Sequence, residues 1–316
     1  QLESETNYLN DKRDGLSKYY VNGQLKSETN YLNGKRDGLS KYYVNGQLVR
    51  ETNYLNGKRD GLSKYYVNGQ LESETNYLND KRDGLSKNYY ENGQLRSETS
   101  YKDGKKSGLH KDYSESGILL FYAEYLDGNI HGLLKSWYSN GEKEFVCNFI
   151  NNKPDGFQAH WYNTGQKRSE VNYTNNLIDG VLIYWHENGQ IKNKSYFVEG
   201  LPDGLCQKWY SNGDLKEKKK YKKNKLNSSK CWNEDGDKID CEQLDSNRYL
   251  FKDLLVVALN ESSVVFCRDN MKEIQESLVY DYYSNGQLKF EQYIYMGYKS
   301  KFYKEWYENG QIKIET

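Results

Sequence analysis

The chain lacks most of what builds an ordinary globular core or a membrane span. Of its 316 residues only 36% are hydrophobic and just 2 are proline, and no apolar run approaches the ~20 residues of a membrane-spanning helix. Net charge is also absent, because 45 basic residues balance 45 acidic ones, and this removes the basic footprint typical of nucleic-acid binding. Disorder is disfavoured, since disordered chains are poor in aromatics and 32 residues here are tyrosine. We therefore predict a folded chain with a thin, aromatic-rich interior.

Cysteine and histidine are scarce. The five cysteines are Cys147, Cys206, Cys231, Cys241 and Cys267. They form no C-x-x-C pair and no zinc-binding spacing, so no disulfide scaffold is expected, although one disulfide among the last three cysteines remains open. The four histidines are His110, His131, His160 and His186, and each occupies a different position within the repeat described below. We therefore predict no metal site and expect each histidine to be a solvated strand residue. Motifs of the G-x-S-x-G and H-E-x-x-H type are absent as well. We predict no enzyme activity and no cofactor.

A repeat of 23 or 24 residues dominates what is present. Residues 14–25 return at 37–48 and 60–71, then more loosely to the end, and the glycines of Asn-Gly-Gln-like turns mark twelve units with one gap of 50 residues between Gly236 and Gly286. Asn-Gly favours the positive φ values of a type I′ turn, and the alternating aromatic pattern between turns indicates strands. The sequence therefore predicts an all-β fold: an elongated antiparallel meander of tandem β-hairpin repeats of about 24 residues, in a single-layer twisted sheet or rod.

Two aromatic rows follow the repeat. Four residues before each marker glycine stands an aromatic that we predict to form a structural ladder: Tyr19, Tyr42, Tyr65, Tyr89, Tyr113, Trp137, Trp161, Trp185, Trp209, Trp232, Tyr282 and Trp306. A second row stands eight residues after the marker: Tyr31, Tyr54, Tyr77, Tyr101, Tyr125, Phe149, Tyr173, Phe197 and Tyr221. We interpret both ladders as core, with a sugar, lipid-headgroup or protein-binding edge as the alternative.

One irregularity concerns the first three units. From the fourth unit onward the upstream Asp-Gly glycine precedes the marker glycine by nine residues, but in the first three it precedes by eight. The shorter spacing reverses the alternation between Leu16 and Tyr19. Either a β-bulge compensates, or Tyr20 takes the inward position.

The repeat motif resembles a known family. Asp-Gly-Leu-x-x-x-Tyr/Trp-Tyr-x-Asn-Gly-Gln-Leu with a following Tyr-x-x-Gly-Lys is similar to the bacterial variant of the MORN (membrane occupation and recognition nexus) repeat, often labelled a YwqK-type antitoxin repeat. The resemblance covers about residues 1–236 and 280–316, with the first glycine lost at Asn227 and Lys301. It implies a non-catalytic assembly of β-hairpins used for protein contact, dimerisation or membrane association.

The chain is expected to divide into three segments. Tandem repeats occupy 1–236, an irregular insertion or decayed repeat occupies 237–279, and the final repeats occupy 280–316. Within the middle segment, apolar residues at 254–259 and 264–267 suggest a buried hairpin, and residues 271–278 suggest a short helical turn. The segment is interpreted as a decayed repeat, with a capping or association module as the alternative.

Two charged features complete the pattern. Asp14, Asp37, Asp60 and Asp83 recur at one repeat position, where we favour screened surface pairing with Lys-Arg neighbours over a cation site. The lysine cluster consists of Lys216, Lys218, Lys219, Lys220, Lys222, Lys223 and Lys225. We interpret it as a solvated edge that discourages aggregation, with binding to an anionic surface as the alternative.

The leading functional prediction is a non-enzymatic scaffold that binds protein partners, including further copies of itself, and no nucleic acid. The alternative is an envelope-associated binder of lipid headgroups or glycans that makes peripheral membrane contact. Third comes an antitoxin or immunity role, which rests on the family label. Near-identical early units favour an envelope or extracellular location and leave the cytoplasm open.

Overall fold

The computed structural model describes residues 3–241 and 244, together with the strands at 277–282, 288–295, 298–306 and 312–315. Throughout this part of the chain the regular structure is all-β, without an α-helix. No stretch among these residues forms a helix long and apolar enough to span a bilayer. The predicted all-β meander of tandem hairpins is confirmed.

The chain divides into two compact units, Gln1–Ser229 and Lys230–Thr316. Twenty-two strands form one open antiparallel sheet. Their bounds are β1 Ser4–Leu9, β2 Lys12–Val21, β3 Gln24–Leu32, β4 Lys35–Val44, β5 Gln47–Leu55, β6 Lys58–Val67, β7 Gln70–Leu78, β8 Lys81–Tyr89, β9 Leu95–Lys102, β10 Lys105–Tyr113, β11 Leu119–Leu126, β12 Asn129–Trp137, β13 Lys143–Ile150, β14 Lys153–Trp161, β15 Lys167–Thr174, β16 Leu177–Ile178, β17 Gly180–Trp185, β18 Ile191–Val198, β19 Leu201–Trp209, β20 Leu215–Lys222, β21 Lys225–Trp232 and β22 Lys238–Ile239.

A separate sheet of four antiparallel strands lies in the second unit. Its strands are β23 Ser277–Tyr282, β24 Leu288–Tyr295, β25 Tyr298–Trp306 and β26 Ile312–Glu315. The predicted apolar hairpin at 254–267 and most of the predicted helical turn lie outside the described residues, and residues 277 and 278 begin β23. The three-segment division of the chain stays a prediction.

Two kinds of turn connect the strands. Two-residue turns such as Asn22-Gly23 have positive φ at both residues, 53° and 78°, as a type I′ turn requires. From the fourth unit onward the turn before each marker glycine is longer. In the first of these, the Tyr90 N–H donates to the Gln94 carbonyl, the Gly93 N–H donates to the Tyr90 carbonyl, and only the glycine has positive φ. The extra residue of the later units therefore lies in the turn.

The two faces of the sheet differ in chemistry. We call the face that carries Thr29, Thr52 and Thr75 the groove face, and the face that carries Glu28 and Glu51 the opposite face. Hydroxyl pairs bond across neighbouring strands along the groove face, at Thr6–Ser17, Thr29–Ser40, Thr52–Ser63 and Thr75–Ser86, with oxygen–oxygen distances of 2.7–2.9 Å. These pairs satisfy polar groups that the sheet partly removes from water.

The apolar core occupies the same row further along the sheet. His110 pairs with Ala123, Ala123 with Leu134, and Leu134 with Cys147 across successive strands. Ala123, Leu134 and Cys147 are fully buried. The core row thus changes from hydroxyl pairs in β1–β8 to apolar side chains in β11–β13.

Candidate functional site

An alternating row of arginine and tyrosine runs along the groove face beside the hydroxyl pairs. In each early unit a tyrosine ends one strand and an arginine opens the next, so the type I′ turn between them places the two opposite each other, as at Tyr31 and Arg36. The same pairing recurs at Tyr54 with Arg59 and at Tyr77 with Arg82. Sequence reasoning found the tyrosines but missed the arginines, although both recur with the 23-residue period.

Each arginine also contacts the tyrosine of the following unit. Arg36 Nη1 donates to the Tyr54 hydroxyl at 3.3 Å, and its Cζ lies 5.2 Å from the centroid of that ring. Guanidinium-to-centroid distances are 5.3, 4.2 and 5.2 Å at Arg13–Tyr31, Arg59–Tyr77 and Arg82–Tyr101. A cation over an aromatic ring is attracted by the ring quadrupole, so these contacts orient side chains that remain near solvent. We call this set of residues the Arg–Tyr row: Arg13, Tyr31, Arg36, Tyr54, Arg59, Tyr77, Arg82 and Tyr101.

A groove of about 270 Å³ opens over this row between β5 and β9. Arg59, Arg82 and Tyr77 line it together with the hydroxyls of Thr75 and Ser86. No aspartate or glutamate lines the groove in the described part of the chain. The turn residue Asp80 approaches Arg59, with 3.2 Å between its Oδ1 and Nε. Asp80 engages Arg59 from the turn, whereas Arg82 and the hydroxyl donors meet no carboxylate among the groove-lining residues, so the groove is suited to an anionic ligand.

The predicted aromatic ladder does not keep one face. Tyr19, Tyr42 and Tyr65 are 51%, 43% and 42% exposed, so they are not core. Tyr42 pairs with Ser27 and Tyr65 with Arg50, which places both tyrosines on the groove face. The prediction placed the ladder residue four positions before the marker glycine in every unit. It is wrong for the first three units because their turns are one residue shorter than those of the later units.

The neighbouring tyrosine takes the equivalent position in the early units. Tyr43 donates to Glu28 at 3.0 Å and Tyr66 to Glu51 at 2.8 Å, and Tyr89 makes the same bond to Glu74 at 2.8 Å. Burial and then the bonded carboxylate raise the pKa of Tyr43 to about 12. Of the two alternatives, the second is realised: the second tyrosine of each pair is the structural equivalent of Tyr89. A register shift precedes both Tyr43 and Tyr89, so the shift does not compensate for the shorter spacing.

The later members of the ladder are half-buried and stack with lysine. Lys143 Nζ lies 5.9 Å from the Trp161 ring and Lys167 Nζ lies 5.4 Å from the Trp185 ring. Tyr89, Tyr113, Trp137, Trp209 and Trp232 are half-buried as well, while the side chains of Tyr282 and Trp306 lie outside the described residues. The second aromatic row is more deeply buried from Tyr125, at 9%, to Phe197, at 3%.

The lysine cluster does not gather at one point. Lys219 projects to the same side of β20 as Glu217 and bonds it at 2.6 Å, whereas Lys218 and Lys220 alternate to the other side and are exposed. Burial opposes ionisation of Glu217, but hydrogen bonds from Lys219 and Lys208 hold its pKa below the ordinary value. Lys222 approaches Asp203 at 3.5 Å. Lys216 stacks on the Tyr210 ring, and Lys223 and Lys225 are exposed at the following turn.

Two of the histidines are not solvated, contrary to expectation. His160 packs on Phe145 with 4.6 Å between the ring centroids, and burial followed by Arg168 lowers its pKa to about 4. The His110 ring bonds Thr99 at 2.7 Å and faces Asp112 at 3.3 Å. His131 lies near Asn151 at 3.2 Å, and His186 donates to the Trp209 carbonyl at 3.1 Å.

The recurring aspartates have a structural role that the sequence reasoning missed. Asp14 accepts from the Asn33 backbone N–H at 3.1 Å, and Asp37 accepts from Asn56 at 3.0 Å. Asp60 and Asp83 cap the next turns in the same way. Each carboxylate therefore satisfies a turn donor of the following unit, which explains its repeat position better than pairing with lysine or arginine.

The longer turns carry a further unit-to-unit contact that the sequence reasoning missed. Tyr138 donates to the Trp161 carbonyl at 2.7 Å and Tyr162 to the Trp185 carbonyl at 2.9 Å, both across 23 residues.

Cys231 and Cys241 form a disulfide, Cys147 and Cys206 are buried free thiols, and Cys267 lies outside the described residues.

Comparison with known proteins identifies the repeat. Seven segments match the family model of the MORN repeat variant: residues 13–33, 59–79, 82–103, 130–151, 178–199, 202–223 and 303–316. No curated protein matches the chain. The matched segments contain Arg13, Tyr31, Arg59, Tyr77, Arg82 and Tyr101 of the Arg–Tyr row, so these segments are similar to the MORN repeat variant, a class of repeats that generally serves binding or scaffolding.

Proposed function

We propose that the chain is a non-enzymatic scaffold that binds a protein partner across the groove face of its early repeats. The observation that carries this proposal is the exposure of large side chains in register on that face. Tyr19, Tyr42 and Tyr65 are each more than 40% exposed and recur at one place in successive hairpins. Tyrosine supplies contact area with few rotatable bonds, and it is enriched where proteins bind each other.

The remaining contacts of these repeats serve the array itself. Glu51 on the opposite face approaches Lys41 at 3.7 Å and accepts a hydrogen bond from Tyr66. Asp14 and Asp37 cap turns of the neighbouring hairpins. The opposite face also exposes a row of leucines, Leu32, Leu55 and Leu78, but the groove face presents exposed tyrosines together with arginine donors, so we favour it as the surface that the early repeats offer to another molecule.

A photo-crosslinking experiment tests the proposal with a matched control. A benzoylphenylalanine replaces Tyr65, which is 42% exposed on the groove face, or Leu55, which is 51% exposed on the opposite face. We expect irradiation in lysate to yield one dominant protein adduct from position 65 and none from position 55. Equal adducts from both positions, or none from position 65, would contradict a partner on the groove face. An adduct of two copies of the chain would identify the partner as itself.

A further inference from the structure

We propose that the Arg–Tyr row binds an acidic polypeptide segment in polyproline II conformation, with an aspartate or glutamate at every third residue. The inference rests on the proposed scaffold function, because it names the chemistry of the partner. It depends on the spacing of the arginines, on the donors around them and on the aromatic walls between them.

The spacing of the arginines sets the period of the ligand. Arg13, Arg36, Arg59 and Arg82 occupy one position in four successive hairpins. Neighbouring strands are ~4.8 Å apart, so two strands separate consecutive arginines by roughly 9.6 Å. A polyproline II helix rises ~3.1 Å per residue with three residues per turn, so every third side chain recurs on one face after roughly 9.3 Å. The two periods agree to within a few tenths of an ångström.

The donors on the groove face fit carboxylates. A guanidinium has five N–H donors in a planar fork, and carboxylates accept from that fork in pairs. Arg36 bonds the hydroxyls of Tyr31 and Tyr54, and Arg82 bonds those of Tyr77 and Tyr101. Arg59 donates from Nε and Nη2 to Asp80 and keeps its Nη1 donors. Arg36 and Arg82 remain exposed. Their other donors are thus open to a ligand that follows the row.

The tyrosines between the arginines form the walls that such a ligand needs. Tyr54, Tyr77 and Tyr101 line the groove of about 270 Å³, and Thr75 and Ser86 line the same depression. Proteins recognise polyproline II segments by docking them into aromatic-lined grooves. The preformed helix loses little conformational entropy on binding, so contacts to a few aromatic walls and charges suffice.

The test uses calorimetric titration of the full chain with three synthetic peptides. One contains five Glu-Pro-Pro triplets, the second replaces every glutamate with glutamine, and the third has the composition of the first with its five glutamates adjacent. We expect binding of the first, at least about tenfold weaker binding of the clustered peptide, and none of the glutamine peptide, because only the first places a carboxylate at each arginine. Equal binding of spaced and clustered peptides would mean attraction to any polyanion and would overturn the proposal.

Two protein variants with the same change in net charge locate the site. The first carries glutamine on the groove face at Arg13, Arg36, Arg59 and Arg82, and the control carries glutamine at the exposed lysines that precede them on the opposite face, Lys12, Lys35, Lys58 and Lys81. We expect the first variant to lose at least about 100-fold in affinity for the spaced peptide, because four charge-assisted contacts are removed, and the control to stay within about threefold. Retained binding by the arginine variant overturns the proposal.

The remaining outcomes separate this inference from the scaffold function. If the arginine variant does not fold, as judged by circular dichroism, the relative affinities of the three peptides for the unaltered chain still test the proposal. Stronger binding to vesicles of acidic phospholipid than to the spaced peptide would overturn the peptide proposal in favour of a membrane surface. A protein adduct from position 65 that the arginine variant still forms would reject the acidic ligand and leave the scaffold function standing.

Discussion

At the scale of single residues, His160 shows how the same repeat position accepts different chemistry. Its ring lies on the groove face opposite Phe145, where Tyr42 and Tyr65 stand in the early units. Near Phe145 the ring is desolvated, and burial disfavours the charged form of an imidazole. A position that holds an exposed tyrosine in the polar repeats thus holds a half-buried imidazole packed on an aromatic ring.

We expect His160 to make the stability of β14 depend on pH. Its folded pKa of about 4 lies below the ordinary value of 6.5, so the unfolded chain binds more protons between these pH values. The contribution is fully present above about pH 6.5 and is lost as pH falls to 4, with a size on the order of 3 kcal/mol.

Amide hydrogen exchange of β14 at pH 7.5 and pH 4 measures this dependence. His160→Gln should show a smaller loss of protection on acidification than the unaltered chain, since glutamine does not titrate. His131→Gln is the control, because that ring lies near a turn residue, Asn151, rather than on Phe145. An unaltered pH dependence in His160→Gln would show that other groups cause it.

At the scale of the hairpin, glycines with positive φ fall into two classes. Gly141 has a φ of 88° and an added Cβ would meet nothing within 4 Å, whereas Gly132 has a φ of 114° and an added Cβ would lie against Glu124. Glu124 accepts a hydrogen bond from the Leu133 backbone N–H at 3.0 Å, so it cannot move without losing that bond. Glycine is therefore needed at position 141 only for its positive φ, whereas at position 132 it is needed both for its positive φ and because a side chain would clash with Glu124.

Replacing each of these glycines by alanine should separate the two requirements. Gly141→Ala should cost about 1 kcal/mol, the penalty for a side chain in the left-handed region. Gly132→Ala should cost roughly 3 kcal/mol, because the displaced carboxylate also gives up a charge-assisted hydrogen bond. Thermal melting of the two variants compares them, and equal melting shifts would refute the steric role of Gly132.

Within each hairpin, the turns and strands could be predicted from the sequence, but the face on which some side chains lie could not. Asn-Gly turns and strand alternation are local signals, so the meander could be predicted from residues such as Asn22 and Gly23. The face of Tyr19 could not, because the extra residue of the later units lies in the turn and shifts the count. The Arg–Tyr row depends on cross-strand register, which pairs Tyr31 with Arg36 only once the turn length is known.

At the scale of the whole sheet, the early strands belong to two alternating types. β2, β4 and β6 share the sequence KRDGLSKYYV, and each contributes a lysine, whereas β3, β5 and β7 contribute a glutamate at the facing position. Glu51 pairs with Lys41 on one side and Lys64 on the other. Opposite charges that face each other stabilise a sheet, and like charges destabilise it, so this alternation favours the observed strand order.

Deleting a whole unit should therefore be tolerated, and deleting half a unit should not. Removal of residues 47–69 joins Gly46 to Gln70 and restores the alternation, since the strand that follows has the same type as the one removed. Stability in repeat arrays is close to a sum of unit and neighbour terms, so this variant should keep its β-sheet circular dichroism per residue and melt within a few degrees of the full chain. Removal of residues 47–57 instead sets β4 beside β6, so that two lysine-bearing strands become neighbours and Lys41 loses the glutamate that faces it. We expect this shorter deletion to be the more damaging one, and equal melting temperatures would show that strand type does not determine strand order.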